Sequence, residues 1–298
     1  MRDFTGIIVV VPTPFDTSGQ IDDASVERLI GHYLDLGVQG LTIMGVMGEG
    51  SKLSAAESQA LMQRIFGVVD GAIPVIVGAS NPDDDACIAI AEAAMGLGAA
   101  GAMISPKRGL SSDAAVTDYF ASLCDRLGPD VPICVQDYPP ASGVTVSVDG
   151  LAEMFRALPQ LGMVKLEDMP NLCKLTDLLG RFKAGPQPRP TIFVGNNALF
   201  VDLELERGAD GIMTGFAYPE ALQQLYRAHA DGDGERAAAI FERYLSLVRF
   251  EAQPGVGLAA RKYILQRKGV IASAGLRAPG YELTPEDRAD IDRMMARL

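Results

Sequence analysis

Short apolar runs rich in β-branched residues alternate along this chain with longer segments whose apolar positions recur at helical spacing. The runs are Ile7–Val11, Gly40–Gly45, Pro74–Gly78, Gly101–Ser105, Val131–Asp137, Met163–Glu167, Thr191–Gly195 and Gly211–Gly215. Helical segments begin near Asp22, Ser54, Pro82, Ser112, Ser147, Pro170, Ala198 and Pro219. Asp22, Ser54, Ser112 and Ser147 suit N-caps, and Pro82 and Pro219 suit a first helical turn. Each run is followed by a helix and no hairpin dipeptide joins two runs, so the pattern predicts parallel pairing. Eight such units close a TIM (β/α)8 barrel, which is favoured here over an open doubly wound α/β sheet. From about Gly234 to Leu298 three more helical segments follow without a strand. The expected organisation is a barrel over residues 1–230 and a C-terminal three-helix appendage over 231–298, packed on it.

The 298 residues are 48% hydrophobic and 21% charged, as in an ordinary soluble enzyme. No apolar run approaches the roughly 20 residues that span a bilayer, and the N-terminus lacks the layout of a signal peptide. These features predict a cytoplasmic protein. A net charge of −12 argues against nucleic-acid or anionic-membrane partners. Cys87, Cys124, Cys134 and Cys173 show no CxxC spacing and read as free thiols. His32 and His229 fall in predicted outer helices, and no His/carboxylate cluster stands at a strand end. Neither a metal nor a cofactor is expected.

The sixth run carries a lysine at its centre, in Gly162-Met-Val-Lys-Leu-Glu-Asp168. Side chains alternate along a strand, so Met163, Lys165 and Glu167 share one face while Val164 and Leu166 share the other. If the two aliphatics pack on the outer helices, Lys165 points into the barrel. A lysine held there loses hydration, which favours the neutral, nucleophilic amine and imine formation with a carbonyl. A lysine ion-paired with Glu167 or another carboxylate is the structural alternative, and the strand alone leaves both open. The barrel frame favours catalysis, because such sites gather at strand C-termini. After the second run, the loop Gly45-Val-Met-Gly-Glu-Gly-Ser51 lets backbone N–H groups approach an anion, although a plain turn has the same composition. It lacks the GK[ST] ending of a phosphate loop, so a small carboxylate fits better.

Together these stretches resemble the dihydrodipicolinate synthase / N-acetylneuraminate lyase family of class I aldolase-like barrels. The likeness includes VPTPF at 11–15, GVMGEGSKLS at 45–54, VQDYP at 135–139, VKLED at 164–168 and DGIMTG at 210–215. It implies that Lys165 forms a Schiff base with a 2-oxo acid. It also implies that Gly45, Val46 and Met47 lie at the carboxylate site, with Gly195 and Met213 lining the pocket, and that the chain is a homo-oligomer, a tetramer in relatives. The departures are specific. Gln136 stands where the family relay has a tyrosine, and Val46 and Met47 stand where it has threonines. Arg108 replaces a tyrosine after the fourth strand, and Ala141 replaces the arginine that binds aspartate semialdehyde. Tyr138 shares the parity of Gln136 and is either a substitute phenol or rim packing. Glu167 is a candidate to tune Lys165, whereas Asp168 is expected to cap or pair. Gln-Asp on the fifth run and ARKYILQRKGVIAS at 260–273 look more like the 2-oxo-3-deoxy-sugar-acid dehydratase branch. The expected function is therefore a Schiff-base lyase, dehydratase or aldolase, acting on a 2-oxo acid of the 2-oxo-3-deoxy sugar acid type. Lys165 and Gln136 are the expected catalytic residues, with Tyr138 at the substrate. The alternative is 4-hydroxy-tetrahydrodipicolinate synthase.

Overall fold

A computed structural model describes residues 1–183 and 189–298. Eight parallel strands form one closed barrel in chain order. They are β1 (Gly6–Val10), β2 (Gly40–Ile43), β3 (Val75–Gly78), β4 (Gly101–Ile104), β5 (Ile133–Asp137), β6 (Leu161–Leu166), β7 (Thr191–Val194) and β8 (Gly211–Thr214). The helices are α1 (Asp23–Asp35), α2 (Ala55–Val69), α3 (Asp84–Gly96), α4 (Asp113–Leu127), α5 (Pro139–Ser142) and α6 (Val148–Ala157). Then come α7 (Asn171–Lys183), α8 (Val201–Glu206), α9 (Pro219–Ala230), α10 (Gly234–Glu251), α11 (Gly257–Arg267) and α12 (Pro285–Met295). Asp22, Ser54, Ser112 and Ser147 all cap the helices that follow them, Ser54 through a full capping box with Glu57.

The core has two layers. Alternate strand residues such as Val9, Ile43, Val77, Val164 and Leu166 face the helices. Ile8, Val10, Ile76, Met103, Cys134, Met163, Phe193 and Met213 fill the barrel interior. β6 begins two residues earlier than the sequence pattern suggests. Leu161 pairs with Ile133 and Met163 with Cys134, so Gly162 is an extra, unpaired residue in an irregular register. That insertion lets Leu161 face outward and Met163 inward, and it sets Lys165 on the interior face.

β2 ends at Ile43 rather than Gly45, because Met44 adopts a left-handed φ of 57° that breaks the ladder. The eighth helix begins at Val201 rather than near Ala198. Asn196, Asn197 and Ala198 instead form a short turn with φ of 45°, 53° and 64°. α5, which the sequence pattern did not indicate, carries the chain from β5 toward α6. All four cysteines are free, with only Cys173 exposed. No helix among the described residues is long and apolar enough to cross a membrane.

Candidate active site

At the C-terminal end of the barrel a cavity of about 170 Å³ opens above Lys165. Lys165 is 5% exposed, and its Nζ lies 3.2 Å from Oε2 of Glu167. Glu167 lies one residue past the end of β6, where its N–H still bonds the Asp137 carbonyl at 2.9 Å, so the two-residue spacing of extended backbone brings it to the Lys165 side. Glu167 collects two more donors. Gln136 Nε2 donates to its Oε2 at 3.0 Å, and the Asn196 backbone N–H donates to its Oε1 at 3.1 Å. The Gln136 carbonyl in turn accepts from Ser105 Oγ at 3.2 Å. The ion pair of the structural alternative is thus present, and it sits on the wall of an open cavity instead of being sealed in a core.

Gln136, Gly45, Val46, Met47 and Tyr138 line the same cavity. Gly195 and Met213 do not. Met213 is packed inside the barrel, and Gly195 backs onto Glu167, whose carboxylate would collide with a Cβ there. Tyr138 is half-buried. Burial first, and then the charge of Glu167, pushes its phenol above the ordinary range. Asp168 pairs with Lys174 at 2.8 Å, and the same ammonium lies 2.6 Å from Asp137. Burial raises Asp137 to about 6 against the opposing pull of Lys174. His32 and His229 lie on α1 and α9, outside the cavity lining.

The glycine-rich loop makes a tight turn in which Gly48 N–H bonds the Gly45 carbonyl at 3.0 Å. The N–H groups of Val46 and Met47 precede that first bond and have no partner within the turn. The loop is held from below and behind. Thr13 Oγ1, in the first-strand PTPF stretch, donates to the Gly48 carbonyl at 2.6 Å. Gly78 admits the chain at Met44, since a Cβ there would stand 2.7 Å from the Met44 carbonyl oxygen. Glu49, 2% exposed with φ of 54°, accepts from Lys262 at 2.6 Å, from Lys52 at 2.9 Å and from the Arg277 N–H at 3.0 Å.

Lys262 and its neighbour Arg261 were not among the sequence-level candidates. Both are fully buried on α11. Lys262 also lies over the Phe15 ring at 4.4 Å. Arg261 donates to Glu251 Oε2 at 3.0 Å and to the Asn197 side chain at 2.9 Å. One C-terminal helix therefore grips the loops after β2 and β7, which form two walls of the cavity. The available signal was a pair of adjacent cations in an otherwise apolar helical stretch.

Ala141 itself carries no charge, but Arg108 reaches across from the loop after β4 and donates to the Ala141 carbonyl at 3.0 Å. Positive charge arrives there from a different strand.

The profile of the Dihydrodipicolinate synthetase family matches residues 3–298. The chain belongs to this family. It is 32% identical over 297 residues to the L-2-keto-3-deoxyarabonate dehydratase of Azospirillum brasilense, spanning 98% of this chain and 94% of that one. It is 26% identical to the probable 2-dehydro-3-deoxy-D-pentonate aldolase YjhH of Escherichia coli K12, spanning 96% and 94%. A crystal structure of a dihydrodipicolinate synthase from Rhodopseudomonas palustris superposes with a TM-score of 0.97 at 38% identity, covering 100% and 99%. Members of the family are class I lyases, aldolases and dehydratases, and this chain is a lyase of that family.

Proposed function

We propose that this lyase dehydrates a 2-oxo-3-deoxy sugar acid through an imine on Lys165. The observation that carries the reading is the Lys165–Glu167 pair on the cavity wall, 3.2 Å between charged atoms. Transfer of a proton from the ammonium to Glu167 frees the amine to attack the C2 carbonyl, and Glu167 then gives that proton to the carbinolamine hydroxyl, which leaves as water to form the iminium. The iminium acidifies C3. In this reading Glu167, again a carboxylate, takes the C3 proton and returns it to the departing C4 hydroxyl, which leaves as water. Hydrolysis of the imine uses one water and releases product, so the net change is loss of one water from the substrate. The Val46 and Met47 N–H groups, without partners in their turn, support a C1 carboxylate bound at that loop. By family likeness we take the working form to be a cytoplasmic homotetramer.

Borohydride reduction with pyruvate tests the imine. One pyruvate-derived adduct is expected on the peptide containing Lys165, absent in Lys165→Ala. Labelling at Lys107 or Lys174 instead overturns the assignment. A panel of 2-oxo-3-deoxy sugar acids, scored for loss of water against release of pyruvate, tests the reaction.

A second reading, 4-hydroxy-tetrahydrodipicolinate synthase, is favoured by the likeness to the Rhodopseudomonas palustris structure. It is weakened by the amide of Gln136 in place of a titrating phenol. Turnover of pyruvate with aspartate semialdehyde is expected to be slight.

A further inference from the structure

A second cavity, of about 320 Å³, adjoins the first. The two share Gly45, Val46, Met103 and Gln136 as a common wall. Its polar side is made by Ser80, Asn81, Ser105, Lys107, Arg108 and Ser142, and no aspartate or glutamate lines it. The Lys107 ammonium is neutralised by Asp84 at 2.9 Å. Arg108 is different. Among the described residues no carboxylate pairs with it, and its recorded bond is the one from Nη2 to the Ala141 carbonyl. A guanidinium has five N–H donors, so most of this one remains free, and it is placed at the rim of a cavity that holds no negative charge. In a chain of net charge −12 that is a local exception.

We infer that the second cavity receives the distal end of the substrate and that this end is a carboxylate. The substrate is then a 2-oxo diacid, with its C1 carboxylate and 2-oxo group on the Lys165 side and its second carboxylate on Arg108. A planar guanidinium matches a carboxylate with two parallel hydrogen bonds. A terminal hydroxyl would leave the positive charge without a counterion. The hydroxyls and amides between the two ends suit the hydroxylated middle of a sugar diacid. The inference rests on the imine reading for the direction in which the substrate lies.

Calorimetric binding of 2-oxoadipate and 2-oxohexanoate, which share a six-carbon chain and differ in the distal carboxylate, provides the test. The full-length protein should bind the diacid about fivefold or more tightly, as a partly solvated charge pair allows. Arg108→Gln should bring the two ligands together, and added salt should narrow the wild-type gap. Equal binding of the two by the wild-type protein, or a preference that survives Arg108→Gln, overturns the inference. Borohydride trapping of pyruvate, too short to enter the second cavity, reports on the imine reading alone. Trapped pyruvate without a diacid preference defeats the inference and spares that reading. A diacid preference lost in Arg108→Gln supports the distal carboxylate site even where no pyruvate is trapped.

Discussion

Glu167 Oε2 lies 3.2 Å from Lys165 Nζ, with Lys165 on β6 and Glu167 one residue past its end. No other carboxylate pairs with Lys165 among the described residues. If Glu167 carries protons for imine formation and for C3, its isosteric amide should fold and fail. Glu167→Gln is expected to lower kcat by about a hundredfold or more. Borohydride trapping of pyruvate should become slower while still ending on Lys165. Wild-type turnover in Glu167→Gln would reduce the pair to a structural ion bridge.

Gln136 spends both ends of its amide inside the site, one on Glu167 at 3.0 Å and the other on Ser105 at 3.2 Å. Its first duty is thus to fix the carboxylate, and any bond to substrate hydroxyls comes through the shared wall of the two cavities. Gln136→Ala should lower kcat on the identified substrate by roughly tenfold, the loss of about one hydrogen bond to a charged group. Pyruvate trapping should persist. A change confined to KM would assign Gln136 to substrate contact alone.

The barrel was legible because its signal is local. A strand run followed by a helical segment repeats eight times, and each repeat reinforces the others. The inward direction of Lys165 was legible from Val164 and Leu166, although the Gly162 irregularity that sets the register was not. Glu167 could be placed on the lysine's face by parity, but its other donors come from β5 and from the loop after β7, far apart in sequence. The same limit hid Arg108 against Ala141 and α11 behind the cavity. Gly195 and Met213 were placed at the pocket by the resemblance alone, and in this chain Met213 packs inside the barrel while Gly195 backs onto Glu167.

Lys262 and Glu49 form a buried ion pair at 2.6 Å, with side-chain exposures of 0% and 1%. Removing the cation leaves Glu49 to Lys52 and one backbone N–H. Lys262→Met is expected to destabilise the protein by about 2–4 kcal/mol in chemical denaturation. It should also raise KM for the 2-oxo acid, because the loop bearing Val46 and Met47 loses its anchor. Adding Glu49→Gln to that variant should recover part of the stability and leave KM high. Recovery of both together would show that the loop is held by other contacts.

Glu204 on α8 is fully buried, and its Oε1 accepts from the Asn171 side chain at the start of α7. Burial, followed by the charges of Glu167 and Asp202, raises its carboxyl to about 8 from an ordinary 4.5. The native state therefore holds this proton across a range in which the unfolded chain has released it. Bound protons are then more numerous in the native state between about pH 4.5 and 8, so stability falls as pH rises through that window. Below pH 4.5 both states are protonated and the group contributes nothing to the slope. A glutamine at 204 cannot ionise and keeps an oxygen for Asn171, so it should remove this penalty without removing the hydrogen bond. Paired thermal melts at pH 5 and pH 8 check the prediction, since the other raised carboxyls, Asp137 and Glu251, cancel in the difference between variant and wild type. Glu204→Gln should gain stability relative to wild type at pH 8 by on the order of 1 kcal/mol or more, and by much less at pH 5. An equal change at both values would mean that Glu204 does not hold a proton in the folded chain.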